Sequence, residues 1–140
     1  RVRLTFAGVK EAKEVIDHVE VIAEVTSAIQ SIYTEIRLGK IQVHWLTDDA
    51  LLEVNKEHLN HDYYTDIITF DYSRGKRISG ELFISTDRIK DNATTLDVSE
   101  LNETRRVVAH GILHLIGFGD KTEEEALVMR EKENEVLANL

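Results

Sequence analysis

The chain has 140 residues, of which 42% are hydrophobic and 31% are charged, and its formal net charge is −9. This length fits one domain with a core of its own, and the acidic balance argues against a protein that coats nucleic acid nonspecifically. The chain contains no cysteine, which excludes a disulfide scaffold. Neither a signal-peptide pattern nor an apolar run of membrane-spanning length is present, so we expect a cytoplasmic protein with no membrane partner.

The first elements that the sequence predicts are a strand, a long helix and a second strand. Alternating apolar residues predict the first strand over 2–6. Apolar residues at helical spacing predict the helix from about 11 to 37, and Gly39 is a plausible end for it. The second strand is predicted over 41–46, and Thr47 or Asp48 is suited to cap the helix after it.

The remaining elements complete an interspersed order of strands and helices. A helix is predicted over 49–58, followed by strands over 67–72 and 78–85 that a turn at 73–76 joins. A short helix capped by Thr86 or Asp87 ends near 95, and a longer helix capped by Ser99 is stopped by Gly117 and Gly119. The last helix opens with a capping box at Thr122 and Glu125. This order predicts a single α+β domain over 1–140.

The stretch from His110 to Asp120 carries the chemistry. His110 and His114 are four positions apart on a helix, so their rings stand on one face and can converge on one ion. Gly117 ends the helix, and Asp120 can then return to supply an oxygen ligand. Three protein ligands with an open fourth position are typical of a catalytic zinc site, in which a bound water is activated at neutral pH.

Two features of this stretch limit the interpretation. A pair of histidines at this spacing is often merely structural, and the apolar residues between and after them are more simply core residues. The stretch also departs from the metalloprotease motif H-E-x-x-H, because Gly111 stands where the general base of a protease would be. This departure argues against peptide hydrolysis by the protease mechanism.

The same stretch resembles the signature of the YbeY-like endoribonuclease family, H-G-x-x-H-L-x-G-Y-x-H. The segment 110–117 matches it closely, whereas Phe118 replaces the common Tyr and Asp120 replaces the usual third His. Upstream, the segments 51–55, 65–70 and 80–85 resemble further family motifs. The resemblance covers roughly residues 40 to 135.

One departure from the family concerns a cation. Many members carry an arginine a few residues after the segment that 51–55 resembles, and here Leu59 occupies that place. Arg106, one helical turn before His110 on the same face, is the candidate replacement as a catalytic cation. A solvated helix residue is the plainer interpretation of Arg106.

The resemblance implies a small mixed sheet packed against helices, with a zincin-like site that holds one Zn²⁺ per chain through His110, His114 and Asp120. It implies cleavage of single-stranded RNA in ribosomal RNA maturation, including the 3′ end of small-subunit (16S) RNA, with small ribosomal subunit components as partners. An RNA groove would need local positive charge. We predict that it uses basic residues from this set: Arg74, Lys76, Arg77, Arg88, Arg105 and Arg106.

Three alternatives stay open from the sequence. The zincin-type motif is compatible with a metal-dependent endopeptidase, although Gly111 weighs against it. The absent arginine at Leu59 is compatible with a metal-stabilised ribosome assembly factor that does not cut RNA. The lack of cysteine and proline is compatible with an engineered variant that keeps the motif without the activity.

Overall fold

The structure is a computed structural model that describes residues 15–61 and 63–140. In this part of the chain the elements are α1 (His18–Ile32), β1 (Arg37–Leu46), α2 (Asp48–Leu59), β2 (Ile67–Asp71), β3 (Arg77–Ser85), α3 (Thr86–Leu96), α4 (Glu100–Ile116) and α5 (Glu123–Ala138). The strand predicted over 2–6 lies outside the described residues. No helix among the described ones has the length and apolar character to cross a membrane.

The three strands form one mixed sheet in the order β1-β3-β2. β1 pairs with β3 in parallel, and β2 pairs with β3 antiparallel, with Ile67 opposite Ile84 at one end and Asp71 opposite Gly80 at the other. The predicted pairing of the strands over 67–72 and 78–85 is therefore confirmed. Alternate residues of β3 are buried, as expected for a strand with one face on a core.

Helix α4 lies at the centre of the core. It contacts α1, α3, α5 and the sheet, and it buries five large aliphatic residues: Val107, Val108, Ile112, Leu113 and Leu115. Helix α5 adds Met129 and Val136 to the same core. The single-domain α+β class with a small mixed sheet packed against helices is thus confirmed for the described residues.

Side-chain caps fix where most of the helices begin. The hydroxyls of Thr47 and Ser99 accept the third backbone N–H of their helices, as predicted. Thr122 and Glu125 form the predicted capping box at the start of α5. For α3 the prediction is wrong by one or two residues, because Ser85 is the cap and its hydroxyl accepts from the N–H of Arg88 at 3.1 Å.

The end of α1 differs most from the prediction. The helix ends at Ile32 and not near 37, and Gly39 lies inside β1. The cause is Gln30, whose amide donates to the carbonyl of Ile36 at 2.8 Å while its oxygen accepts from the N–H of Leu38 at 3.0 Å. This side chain ties the helix end to the first strand, which no local apolar pattern reveals.

Candidate metal centre and the adjoining cavity

The chain reverses sharply at the end of α4. Gly117 has φ of +126°, a conformation that favours glycine, and its N–H bonds to the carbonyls of Leu113 and His114. The N–H of Phe118 also bonds to the carbonyl of Leu113 at 3.1 Å. The following loop therefore turns back toward the helix face that carries the two histidines.

This reversal brings Asp120 against both histidines. Its Oδ2 lies 3.3 Å from Nε2 of His110 and 3.3 Å from Nε2 of His114. One ligand atom from each of the three residues lies within 4.8 Å of the others, so the cluster could hold a metal ion. Two imidazole nitrogens and one carboxylate oxygen form a donor set that suits zinc.

The hydrogen bonds at the Nδ1 atoms of the two histidines support a role as metal ligands. Nδ1 of His114 donates to the carbonyl oxygen of Phe118 at 2.9 Å, and Nδ1 of His110 donates to Oε2 of Glu133 at 2.7 Å. A carbonyl and an ionised carboxylate can only accept, so each neutral ring carries its proton on Nδ1. The lone pair of each Nε2 therefore points toward Asp120, which is the arrangement expected of metal-ligating histidines.

Glu133 is a buried carboxylate that connects His110 to Arg106. It is 6% exposed, and its Oε1 accepts from Nη1 of Arg106 at 3.1 Å. Burial alone would raise the pKa of Glu133, but the hydrogen bonds from His110 and Arg106 lower it below its usual range. Burial would likewise lower the pKa of His110, and the bond to Glu133 and the negative charge of Asp120 raise it instead.

An open cavity of about 450 Å³ adjoins the cluster, with His110 and Asp120 in its wall. Its cations are Arg106 and Arg130, and Asp66 and Glu103 are acidic residues of the same wall. The volume lies within the range of small-molecule binding sites. Glu103 is 5% exposed, and its Oε1 has no hydrogen-bond partner in the described part of the chain.

The other cations predicted to contact RNA lie apart from this cavity. Arg74 and Lys76 lie in the turn between β2 and β3, and Arg77 is the first residue of β3. This turn is at the end of the β2–β3 pair away from Ile67. Arg88 is bonded to Asp48 at 3.0 Å, and Arg105 to Glu24 at 3.3 Å. Arg106 alone of the predicted set is brought to the cavity, and RNA contact by the others stays a prediction.

The sequence reasoning missed Glu103, Arg130 and Glu133. A signal was available for the two acids, because each occupies the apolar face of its helix. Glu103 precedes Val107 by one turn, and Glu133 lies between Met129 and Val136. A carboxylate in such a stripe is rarely solvated, so it needs a partner or a ligand.

Gly111 faces the sheet and not the cavity. A Cβ at this position would come within 2.7 Å of Cδ1 of Ile67 and 2.9 Å of Cδ1 of Leu82. The absence of a side chain therefore lets α4 pack closely on β2 and β3. A glutamate there would collide with the sheet, which argues further against a protease-type general base at this position.

The fold and the site define a small α+β protein with a cluster of two histidines and one carboxylate. This cluster borders a cavity whose wall contains both acidic and basic side chains. The family model of endoribonuclease YbeY matches residues 7–140. The endoribonuclease YbeY of Bacteroides thetaiotaomicron is 52% identical over 102 residues, covering 73% of this chain and 74% of that protein. That of Cytophaga hutchinsonii is 43% identical over 119 residues, covering 83% of each.

A solution structure of a Thermotoga maritima protein has the same fold, with a TM-score of 0.59 and 25% identity. The likeness covers 86% of this chain and 83% of that one. The chain belongs to the endoribonuclease YbeY family, which confirms the resemblance seen in the sequence. The relatives support a hydrolytic endoribonuclease, which agrees with the expected enzyme class and not with the peptidase alternative.

Proposed function

We propose that residues 1–140 form a single zinc-dependent hydrolase domain that cleaves single-stranded RNA in ribosomal RNA processing, including the 3′ end of small-subunit RNA. Its partners would be ribosomal RNA and small ribosomal subunit components in the cytoplasm. The observation that carries this proposal is the His110, His114 and Asp120 cluster, whose rings are already oriented by Glu133 and Phe118.

His110, His114 and Asp120 would hold one zinc ion, which supplies Lewis-acid polarisation of a phosphoryl oxygen when bound. The protein's own residues orient the ligands and position the substrate. Glu133 fixes the His110 ring, and the loop carbonyl of Phe118 fixes the His114 ring. These two hydrogen bonds hold the Nε2 atom of each imidazole toward the cluster.

Arg106 is the residue proposed to stabilise negative charge that builds on the phosphate during cleavage. It lines the cavity beside His110, and its side chain is only 18% exposed. A guanidinium has five N–H donors, so the bond to Glu133 leaves donors that can face a phosphate. Arg106 would thus supply the positive charge that Leu59 cannot.

The RNA would lie across the cavity, with Arg106 and Arg130 as the nearest cations. For a longer strand we further propose contacts from the basic residues predicted above: Arg74, Lys76, Arg77, Arg88 and Arg105. Their separation from the cavity means that such contacts would involve nucleotides distant from the cleaved bond.

Metal content and chelator-sensitive cleavage of single-stranded RNA test the proposal together. We expect about one zinc per chain, loss of cleavage after chelation, and recovery when zinc is restored. His114→Ala should abolish stoichiometric binding, because two remaining ligands make a poor zinc site, and Asp120→Ala should weaken it. Full cleavage in the chelated protein would refute zinc-dependent cleavage, and unchanged zinc affinity in both variants would refute the ligand assignment.

A further inference from the structure

One oxygen of the buried Glu103 carboxylate has no hydrogen-bond partner among the described residues. Glu103 is 5% exposed, and its Oε1 makes no hydrogen bond to any described residue. Glu133, the other buried carboxylate of the cavity wall, is by contrast bonded to His110 and Arg106. An unpaired buried acceptor is costly, and such groups in folded proteins call for an explanation.

The charged residues near Glu103 do not provide the missing hydrogen bond. Asp66 repels its charge, and Arg106 and Arg130 attract it. Both arginines are directed to Glu133, with Nη1 atoms 3.1 Å and 3.8 Å from its Oε1. Among the described residues no donor bonds to Oε1 of Glu103, and because Glu103 lines the cavity, a molecule bound there can supply one.

The position of Glu103 relates it to the metal cluster. It lies seven residues before His110 on α4, which places it two turns away on the same helix face, roughly 10 Å along the axis. Both residues line the same cavity. A nucleotide adjacent to the cleaved phosphate can span that distance.

The cavity also has apolar side chains in its wall, among the charged and polar ones. Ile67, Val107 and Met129 contribute apolar surface, and Leu96, which is 52% exposed, stands at its margin. Flat nucleobases bind single-strand sites by packing their faces on such side chains while hydrogen bonds engage their edges. Glu103 is a hydrogen-bond acceptor in the same wall as these apolar side chains, which fits this mode of base binding.

We propose that Glu103 is a base-recognition residue that selects guanine next to the cleaved bond, accepting hydrogen bonds from guanine N1–H and N2–H. A carboxylate only accepts, and guanine alone presents two adjacent N–H donors on its pairing edge. Adenine and cytosine place an acceptor beside their donor, which would face a carboxylate oxygen unfavourably. This inference rests on the proposed placement of RNA in the cavity.

The first test needs no variant. Oligouridine strands that carry one guanosine, inosine or adenosine are cleaved by the zinc-reconstituted protein, and the cut sites and rates are measured. We expect cleavage beside guanosine, slower cleavage for inosine, which lacks the N2 amino group, and a loss of roughly 10- to 100-fold for adenosine. Equal rates at the three bases, or cuts that ignore their position, would overturn the proposal.

Glu103→Gln sharpens the test. A glutamine offers one acceptor and one donor, so the variant should lose the guanosine preference, cleave the inosine and guanosine strands equally, and gain on adenosine. Glu131→Gln, an exposed position on α5, is the matched control and should keep the wild-type order. Retention of the guanosine preference in Glu103→Gln would contradict the assignment.

Arg130→Gln separates this inference from the proposed function. If Arg130→Gln weakens RNA binding while wild type treats guanosine and adenosine alike, RNA lies in the cavity and only base recognition by Glu103 fails. If Arg130→Gln, Arg106→Gln and Glu103→Gln all leave RNA binding and cleavage unchanged, the placement of RNA in the cavity fails, and the inference fails with it.

Discussion

At the scale of single residues, the same cavity wall contains two buried glutamates with opposite roles. Glu133 is fully engaged by His110 and Arg106, so its charge is stabilised and it holds a ligand ring in place. Glu103 is equally buried, but its Oε1 has no hydrogen-bond partner among the residues that the structure describes. The first residue therefore orients a ring of the proposed metal cluster, while the second carries the proposed hydrogen-bonding site at a cost to the folded state.

Glu133→Gln should weaken zinc binding without unfolding the protein. The substitution removes the negative charge that orients His110 and strengthens its basicity, and comparable losses behind metal ligands reduce affinity about 10- to 100-fold. Competition against a chelator of known affinity measures the change, with Glu131→Gln as the exposed control. Unchanged affinity would mean that Glu133 acts on Arg106 alone.

Glu103→Gln should stabilise the folded protein at neutral and alkaline pH. Burial raises the pKa of Glu103 against the opposing attraction of Arg106, so the folded state disfavours the ionised form. Wild-type stability is then complete below the ordinary glutamate pKa and is lost as pH rises through the raised value. The gain in the variant's melting temperature should therefore be present at pH 8 and shrink toward pH 4.

Thermal melts of both proteins across that pH range check this prediction. A melting temperature that is equal at all pH values would show that the carboxylate is not strained by burial. A lower melting temperature for the variant at pH 8 would show that Glu103 has a stabilising partner, contrary to its unpaired oxygen.

At the scale of elements, the close packing of α4 on the sheet determines where the site residues point. Gly111 is the contact that permits it, since a Cβ there would press on Ile67 and Leu82. Gly111→Ala gains up to about 1 kcal/mol of helix propensity but overpacks the core at a cost of about 1–3 kcal/mol. We expect a net loss of about 1 kcal/mol in urea unfolding, with reduced zinc affinity if α4 shifts.

A matched variant distinguishes packing from propensity. Asn102 is a partly buried residue of α4 outside the core, and Asn102→Ala changes helix propensity without adding a side chain to the core. It should leave the unfolding free energy nearly unchanged or slightly raised. A Gly111→Ala protein as stable as wild type would mean that the sheet side chains move aside without cost.

Sequence patterns predicted the elements because most of them are specified locally. The caps Thr47, Ser99 and Thr122 and the glycine stop at Gly117 depend on neighbours within a few positions. The end of α1 was missed because it depends on Gln30 reaching the backbone six and eight positions ahead.

For the site, spacing alone brought His110, His114 and Asp120 together, because all three belong to one helix end and its loop. The orienting role of Glu133 could not be read from spacing, since it comes from a different helix, 23 positions after His110. The cavity itself depends on how α3, α4 and α5 pack, and that arrangement is set by the whole core and not by any one segment.

At the scale of the whole molecule, an acidic chain must bind an acidic polymer. The net charge of −9 opposes RNA binding at long range, so affinity must come from local cations and fall as salt rises. The distribution of positive charge therefore matters more than its total, and two charge reversals of equal size should differ according to where they lie.

Lys76→Glu and Lys90→Glu form such a pair. Both change the net charge by the same amount, but Lys76 lies at the predicted RNA-contacting turn and Lys90 is exposed on α3. If Lys76 contacts a phosphate, its reversal should lower the salt dependence of RNA affinity by about 0.7 in logarithmic slope, whereas Lys90→Glu leaves the slope unchanged. Fluorescence anisotropy at several salt concentrations measures both slopes. Equal slopes for the two variants would show that the turn at Lys76 does not contact RNA.

The three residues of the proposed metal cluster lie close together in the sequence, whereas the strands of the sheet pair over long separations. The cluster residues fall within 11 consecutive positions, whereas the parallel pairing of β1 with β3 joins Arg37 to Arg77, 40 positions away. Closing a short loop costs less entropy than closing a long one, and distant strand pairings form slowly. We expect the helix end and loop that carry the cluster to become ordered early, with the sheet completing around them afterwards.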